Sequence, residues 1–169
     1  CTYCGKDVNG VFHIETANQL VAFAQYVELG NKDANAVLDA DIDMDGVAWT
    51  PICQTVSFHD TAATDTGYSG TFDGNGHTIS NLSVTGISGG TYSYGLFGTV
   101  SGTVKDLGMV NYTYTMGTAS DARAGSIAGQ VLTGGTITNC YSVGHTVTTN
   151  SNIAGGIAGC TYGGTISNC

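Results

Sequence analysis

Three near-copies of a glycine-rich block limit what this chain can fold into. They are Tyr94-Gly95-Leu96-Phe97-Gly98, Gly125-Ser126-Ile127-Ala128-Gly129 and Gly155-Gly156-Ile157-Ala158-Gly159. Each leads into a second block: Ser101-Gly102-Thr103-Val104-Lys105-Asp106-Leu107, Gly135-Thr136-Ile137-Thr138-Asn139-Cys140 and Gly164-Thr165-Ile166-Ser167-Asn168-Cys169. The last glycine of the first block steps by 31 and then 30 residues (98→129→159), and the threonine of the second by 33 and then 29 (103→136→165). Self-similarity at such a period marks a repeat architecture, in which stacked units share one core.

The second block also carries the geometry of the unit. Ile79, Val104, Ile137 and Ile166 align in one column, and Leu82, Leu107, Cys140 and Cys169 follow three residues later. On a straight strand, residues three apart face opposite ways. The residue just before the second column is always Asn or Asp: Asn81, Asp106, Asn139 and Asn168. These are the non-glycine residues that best tolerate a left-handed backbone, and one such residue restores both apolar columns to the same interior. Short strands joined by such bends and repeated in register make an all-β parallel β-helix, with turns about 4.8 Å apart. The four bend residues are expected to stack as one structural ladder, bonding amide to amide.

One stretch is helical instead. Thr16-Ala17-Asn18-Gln19 reads as a capping box, and Leu20, Phe23, Ala24 and Val27 recur at helical spacing. Gly30 supplies the stop. A short amphipathic helix ahead of β-repeats is expected to cap the open end of the stack. Residues 1–169 therefore read as a single domain, with the cap helix and first strand in 12–46 and the repeat rungs in 70–169. The sequence stops at Cys169, where the preceding copy runs on into Tyr141-Ser142-Val143-Gly144. It reads as a fragment of a longer repeat protein, or as an open end that another chain could extend into a head-to-tail filament.

Composition excludes several partners. Four Lys plus Arg against thirteen Asp plus Glu leave a net charge of −9, which argues against nucleic acid and anionic membrane surfaces. No apolar run is long enough to span a bilayer. An acidic, lysine-poor chain with six cysteines fits an extracellular setting. Cys1-Thr2-Tyr3-Cys4 lacks the second ligand pair of a zinc site and the βαβ context of a redox motif. It reads as a disulfide element or a frayed terminus.

At this point a family resemblance emerges. The three glycine-rich blocks resemble the GLUG-type repeats of bacterial surface proteins, and Phe72-Asp73-Gly74-Asn75-Gly76-His77-Thr78-Ile79 resembles a motif of pectate-lyase-like β-helices. The segment from Ile14 to Gly46 with Trp49-Thr50-Pro51-Ile52 is similar to the stretch that precedes such repeats in large secreted proteins of gut bacteria. The resemblance implies a right-handed coil and a secreted or cell-surface location, and it implies no activity. Cys53 stands where the resemblance leads one to expect glycine.

Asp41, Asp43, Asp45 and Gly46 imitate the start of a calcium loop, but Ile52 occupies the twelfth position, where a bidentate Glu is required. The stretch reads first as a strand with Ile42 and Met44 inward, and the three aspartates stay as candidates for a calcium site of another kind. Cys140 and Cys169 are expected in the core on successive rungs, as a disulfide or as stacked thiols. Tyr92 with Tyr94, and Tyr112 with Tyr114, form a candidate aromatic platform for sugars, to which Trp49 and Tyr141 could add. No catalytic motif is present, and His13, His59, His77 and His145 lack metal-ligand spacing. His77 with Asp73 reads as part of the turn. No cofactor is expected. The expected function is a non-enzymatic extracellular adhesin or structural scaffold that meets glycans or a host surface. The alternatives are a carbohydrate-binding appendage of a larger secreted enzyme and a filament subunit.

Overall fold

The computed structural model describes residues 5–54, 67–85, 91–115, 121–148 and 153–169. Its architecture is a parallel β-helix with five walls. The chain enters with β1 (Phe12–Ile14) and α1 (Ala17–Glu28), then runs through β2 (Ala36–Leu38) and β3 (Ile42–Asp43). The next turn is β4 (Thr71–Asp73), β5 (Thr78–Ser80), β6 (Ser83–Thr85), β7 (Thr91–Tyr94) and β8 (Phe97–Val100). It repeats as β9 (Thr103–Lys105), β10 (Gly108–Val110), β11 (Thr113–Thr115), β12 (Asp121–Ala124) and β13 (Ala128–Leu132). A further turn comprises β14 (Thr136–Thr138), β15 (Tyr141–Val143), β16 (Thr146–Thr148), β17 (Ile153–Ala154) and β18 (Ala158–Tyr162), and β19 (Thr165–Ser167) follows on the first wall. Strands stack in the orders β1-β2-β4-β9-β14-β19, β3-β5-β10-β15, β6-β11-β16, β7-β12-β17 and β8-β13-β18. The coil thus begins at Phe12, well before the expected start of the rungs at residue 70.

The pairing register defines the core. On the first wall Phe12, Ala36, Phe72, Val104, Ile137 and Ile166 form one column. All but Ile166 are buried. On the second wall the column is Ile42, Ile79, Met109 and Ser142. Ile79 therefore stands one wall away from Val104, and Phe72 takes the place expected for it. Thr78-Ile79-Ser80 on the second wall is built like Thr136-Ile137-Thr138 and Thr165-Ile166-Ser167 on the first, and each is followed by a left-handed Asn, so the blocks look alike in sequence. Each interior column adds about 1.5–3 kcal/mol per fully buried large aliphatic side chain.

The glycine-rich blocks explain themselves through close approach. A Cβ on Gly129 would lie 2.6 Å from the Ser93 Cβ and from the Tyr94 backbone nitrogen, one turn earlier. A Cβ on Gly159 would meet the Ala124 nitrogen at 2.8 Å, and one on Gly98 would meet the Gln54 Cα at 2.6 Å. Each fifth-wall strand lies against the preceding turn with room only for hydrogen.

The two ends of the coil differ. At the start, Thr16 caps α1, its Oγ1 accepting from the Gln19 N–H at 3.3 Å, while the Gln19 Oε1 accepts from the Glu15 N–H at 2.8 Å. Leu20, Phe23, Ala24 and Val27 are buried, and the Phe23 ring meets Phe12, Tyr68 and Phe72. Gly5 and Lys6 pair back antiparallel onto β1, covering its edge. At the other end Ile153 is 49% and Ile166 38% exposed.

Candidate functional site

The corner residues are the sequence-predicted set that the structure orders most clearly. Asn81, Asp106, Asn139 and Asn168 all have left-handed backbone, with φ of 58°, 53°, 53° and 53°. The residues that flank them, such as Val104 and Leu107 or Ile137 and Cys140, are buried together. The single ladder expected of these four residues is, however, two ladders. Asp106 and Asn139 turn the chain from the first wall to the second, Asn168 stands at the equivalent place after β19, and the Asn139 Nδ2 donates to the Asp106 Oδ1 at 3.0 Å. Asn81 turns it from the second wall to the third, stacked with Asn111 (φ 55°) and Gly144 (φ 67°). The Asn111 Nδ2 donates to the Asn81 Oδ1 at 3.4 Å, and the Asn81 Nδ2 to the Asp43 Oδ1 at 2.8 Å. Asn111 was legible, because Met109 and Tyr112 flank it at the same three-residue spacing.

The aspartates proposed for calcium serve these corners instead. Ile42 and Met44 are buried, with Asp41, Asp43 and Asp45 exposed between them. Asp41 accepts from the Thr78 N–H at 2.8 Å and faces the His77 Nδ1 at 3.3 Å; the Thr78 bond chiefly lowers its pKa. Asp43 accepts from Asn81 and from the Asp45 N–H, and the Asn81 bond chiefly lowers its pKa. Among the described residues no three His, Cys, Asp or Glu side chains converge as a metal site. His77 thus pairs with Asp41. Asp73, in the same turn, accepts from the Asn75 N–H and receives the Lys105 Nζ at 2.5 Å, and that Nζ also reaches Asp106 at 3.2 Å.

The aromatic platform is overturned. Tyr94, Tyr112 and Tyr114 have no exposed surface, and the Tyr94 and Tyr114 rings lie 4.6 Å apart inside the coil. Tyr112 and Tyr114 alternate with Thr113 and Thr115, which are less buried, so their shared face is the inner one. The side chain of Tyr92 lies outside the described set, as do Cys1, Cys4 and His59. Trp49 is also buried, its Nε1 donating to the Leu96 carbonyl at 3.2 Å. Among the candidates whose side chains are described, Tyr141 alone is on the outside, its ring lying over Gly108.

Cys140 and Cys169 do occupy equivalent positions on adjacent turns, since Thr138 pairs with Ser167 two residues earlier. Both are free thiols in this structure, one above the other. Cys140 is buried, and burial pushes its thiol up to about 11. Cys169 is exposed, because no turn stacks on it within this structure. Cys53 has φ 54°, the backbone expected of the glycine it replaces, and its N–H donates to Glu28 Oε1 at 2.6 Å. A groove of about 520 Å³ runs nearby, between α1 and Trp49, lined by Val21, Ala24, Glu28, Leu29 and Thr50.

Comparison with known proteins agrees with this architecture. Residues 120–148 match the GLUG motif. The chain is 36% identical over 129 residues to Halomucin of Haloquadratum walsbyi, a match that takes in 73% of this chain and 1% of Halomucin. Its fold is similar to the crystal structure of a candidate immunoglobulin A1 protease from Bacteroides ovatus. That likeness has a TM-score of 0.63 at 24% identity and covers 98% of this chain and 57% of the other. The chain is a parallel β-helix domain that carries a GLUG motif in residues 120–148.

Proposed function

We propose that this β-helix works outside the cell as a rigid, non-enzymatic repeat element, in a scaffold or adhesive role. The observation that carries this reading is where its polar chemistry goes. Asp43, Asn81 and Asn111 bond from turn to turn, as do Asp106 with Asn139, Lys105 with Asp73, His13 with Asp39 and His77 with Asp41. A catalytic site needs a nucleophile or base poised over a cleft with an orienting partner. Here the charged groups hold successive turns together, and the groove beside α1 is lined mostly by apolar groups. Similarity to Halomucin and the GLUG motif support a secreted or cell-surface setting. Contact with glycans or a host surface belongs to the adhesive form of this reading.

Neither alternative has a matching observation. The buried tyrosines remove the sugar platform. Head-to-tail addition would have to displace α1 and residues 5–7 from the start of the coil. Two measurements test the proposal. Antibody labelling and protease shaving of intact source cells should reach the chain, and confinement to the cell interior would refute the location. Immunoglobulin A1 incubated with the purified chain should stay intact, and cleavage would refute the non-enzymatic reading. A hit on a glycan array would favour adhesion over scaffolding.

A further inference from the structure

We infer that Asn111, and one turn earlier Asn81, are acceptor sites for an N-linked glycan. Asn81-Leu82-Ser83 and Asn111-Tyr112-Thr113 each read Asn-x-Ser/Thr, the pattern that accepts such a glycan in secreted proteins. The coil puts both on one corner column, because Ser83 pairs with Thr113 in the third wall. Asn139, on the other corner column, is followed by Cys140 and Tyr141 and lacks the pattern. Asn111 is exposed and Asn81 half-buried, while the middle residues Leu82 and Tyr112 turn into the core. The inference rests on the extracellular reading proposed for this chain, since the lipid-carried sugar donor is used on the far side of a membrane.

The direction of the Asn111 amide decides whether a glycan can be carried without undoing the corner. Its Oδ1 faces the next turn, where a Cβ on Gly144 would come within 2.5 Å of it. Its Nδ2 faces the preceding turn and donates to the Asn81 Oδ1 at 3.4 Å. The carboxamide therefore lies along the coil axis, and the N–H in the ladder is the one opposite its own C=O. A secondary amide prefers the trans form, which keeps its N–H opposite the C=O. A sugar thus replaces the other hydrogen and leaves the ladder bond in place. Asn81 lies in the same sense, but its Nδ2 is held more tightly, by Asp43 at 2.8 Å, which makes it the lesser acceptor. In the transfer, the amide nitrogen bonds to the sugar C1 and gives up one proton. The C1–O bond to the phosphate of a polyisoprenoid carrier breaks, and its electron pair leaves with the phosphate. Charged residues make up only 10% of the chain, so a bulky hydrophilic group supplies solvation that the side chains give sparingly.

The test takes the full chain from the surface and medium of its source cells. Trypsin cuts after Lys105 and Arg123, so residues 106–123 form one peptide in which Asn111 is the only asparagine. Mass spectrometry with electron-transfer fragmentation should find a glycan on the Asn111 nitrogen. Thr113→Ala leaves the corner residue unchanged and should abolish the glycan, whereas Thr113→Ser should keep it. Asn111→Gly should also abolish it, and Gly144 shows that glycine serves at the equivalent corner; circular dichroism checks that these variants fold. Asn111 bare in chains recovered outside the cell would overturn the inference and leave the location standing. Chains confined to the cell interior would overturn both. A sugar on the Thr113 or Thr115 hydroxyl instead of Asn111, or a glycan that survives Thr113→Ala, would also overturn it.

Discussion

At the scale of single residues, the coil depends on a few backbone conformations that most side chains resist. Asn139 has two roles: it holds φ at 53°, and its amide bonds Asp106 on the turn below. Left-handed backbone costs a non-glycine residue about 1–2 kcal/mol, and asparagine less because its side chain bonds locally. Asn139→Ala should therefore lower stability by about 1–2 kcal/mol, while Asn139→Gly should cost less, because glycine adopts that backbone freely. Urea unfolding of both variants checks this. If glycine costs as much as alanine, the amide bond rather than the backbone is what matters. The corner was legible in sequence because the left-handed residue leaves a trace: two apolar positions three apart. Which wall a corner belongs to left no trace. The fold solves the same bend twice per turn, so Asn81 and Asn139 carry similar neighbours on different walls. The tyrosines were misread for a related reason. Alternation in Tyr112-Thr113-Tyr114 fixes that two rings share a face. It does not say which face, and here the threonine is the outward one.

At the scale of elements, successive turns are tied by pairs outside the core, and these give the fold a pH dependence. His13 on β1 sets its Nδ1 2.7 Å from Asp39, just beyond β2, and its Nε2 3.8 Å from Asp7. The Asp39 hydrogen bond chiefly raises the His13 pKa. A raised histidine contributes stability that is fully present below its unfolded value of about 6.5 and is lost as pH rises through the folded value. Asp41, Asp43 and Asp106 are shifted down, by the Thr78 N–H, the Asn81 amide and the Asn139 amide respectively. Their contribution is present above about 3.9 and is lost as pH falls through their lowered values. Stability should therefore be greatest between about pH 4 and pH 6.5. His13→Gln should flatten the fall on the alkaline side and leave the acid-side loss from Asp41, Asp43 and Asp106 unchanged. Urea midpoints measured from pH 3 to pH 8 decide it, and an unchanged alkaline slope in the variant would remove His13 as the cause. The helix α1 was legible to within a residue, since Thr16, Gln19 and the apolar spacing all point one way. The histidine pairs were not, because residues 26 and 36 apart in sequence meet only once the coil is wound.

At the scale of the whole molecule, stability in a stacked coil is a sum of turns and their interfaces, so it should vary along the axis. The first-wall column offers a controlled comparison, because it holds the same residue type at two depths. Ile137 has no exposed surface, with Val104 on one side and Ile166 on the other, whereas Ile166 is 38% exposed on the outermost strand. Ile137→Ala leaves a cavity inside a packed column and should cost about 2–5 kcal/mol. Ile166→Ala removes surface already partly in water and has a stacked neighbour on one side only, so it should cost less than about 1 kcal/mol. Amide hydrogen exchange should follow the same gradient, slow through β4, β9 and β14 and fast through β17 and β19. The α1 end should be protected, since Phe23 and Leu20 cover it and residues 5–7 pair along β1. Equal costs at Ile137 and Ile166, with slow exchange in β19, would mean that the exposed end is covered in solution. Sedimentation over a range of concentrations then separates the two ways this could happen. A mass that rises with concentration and stops at two copies fits a coil that can stack at one end only, and a mass that keeps rising would require α1 to give way.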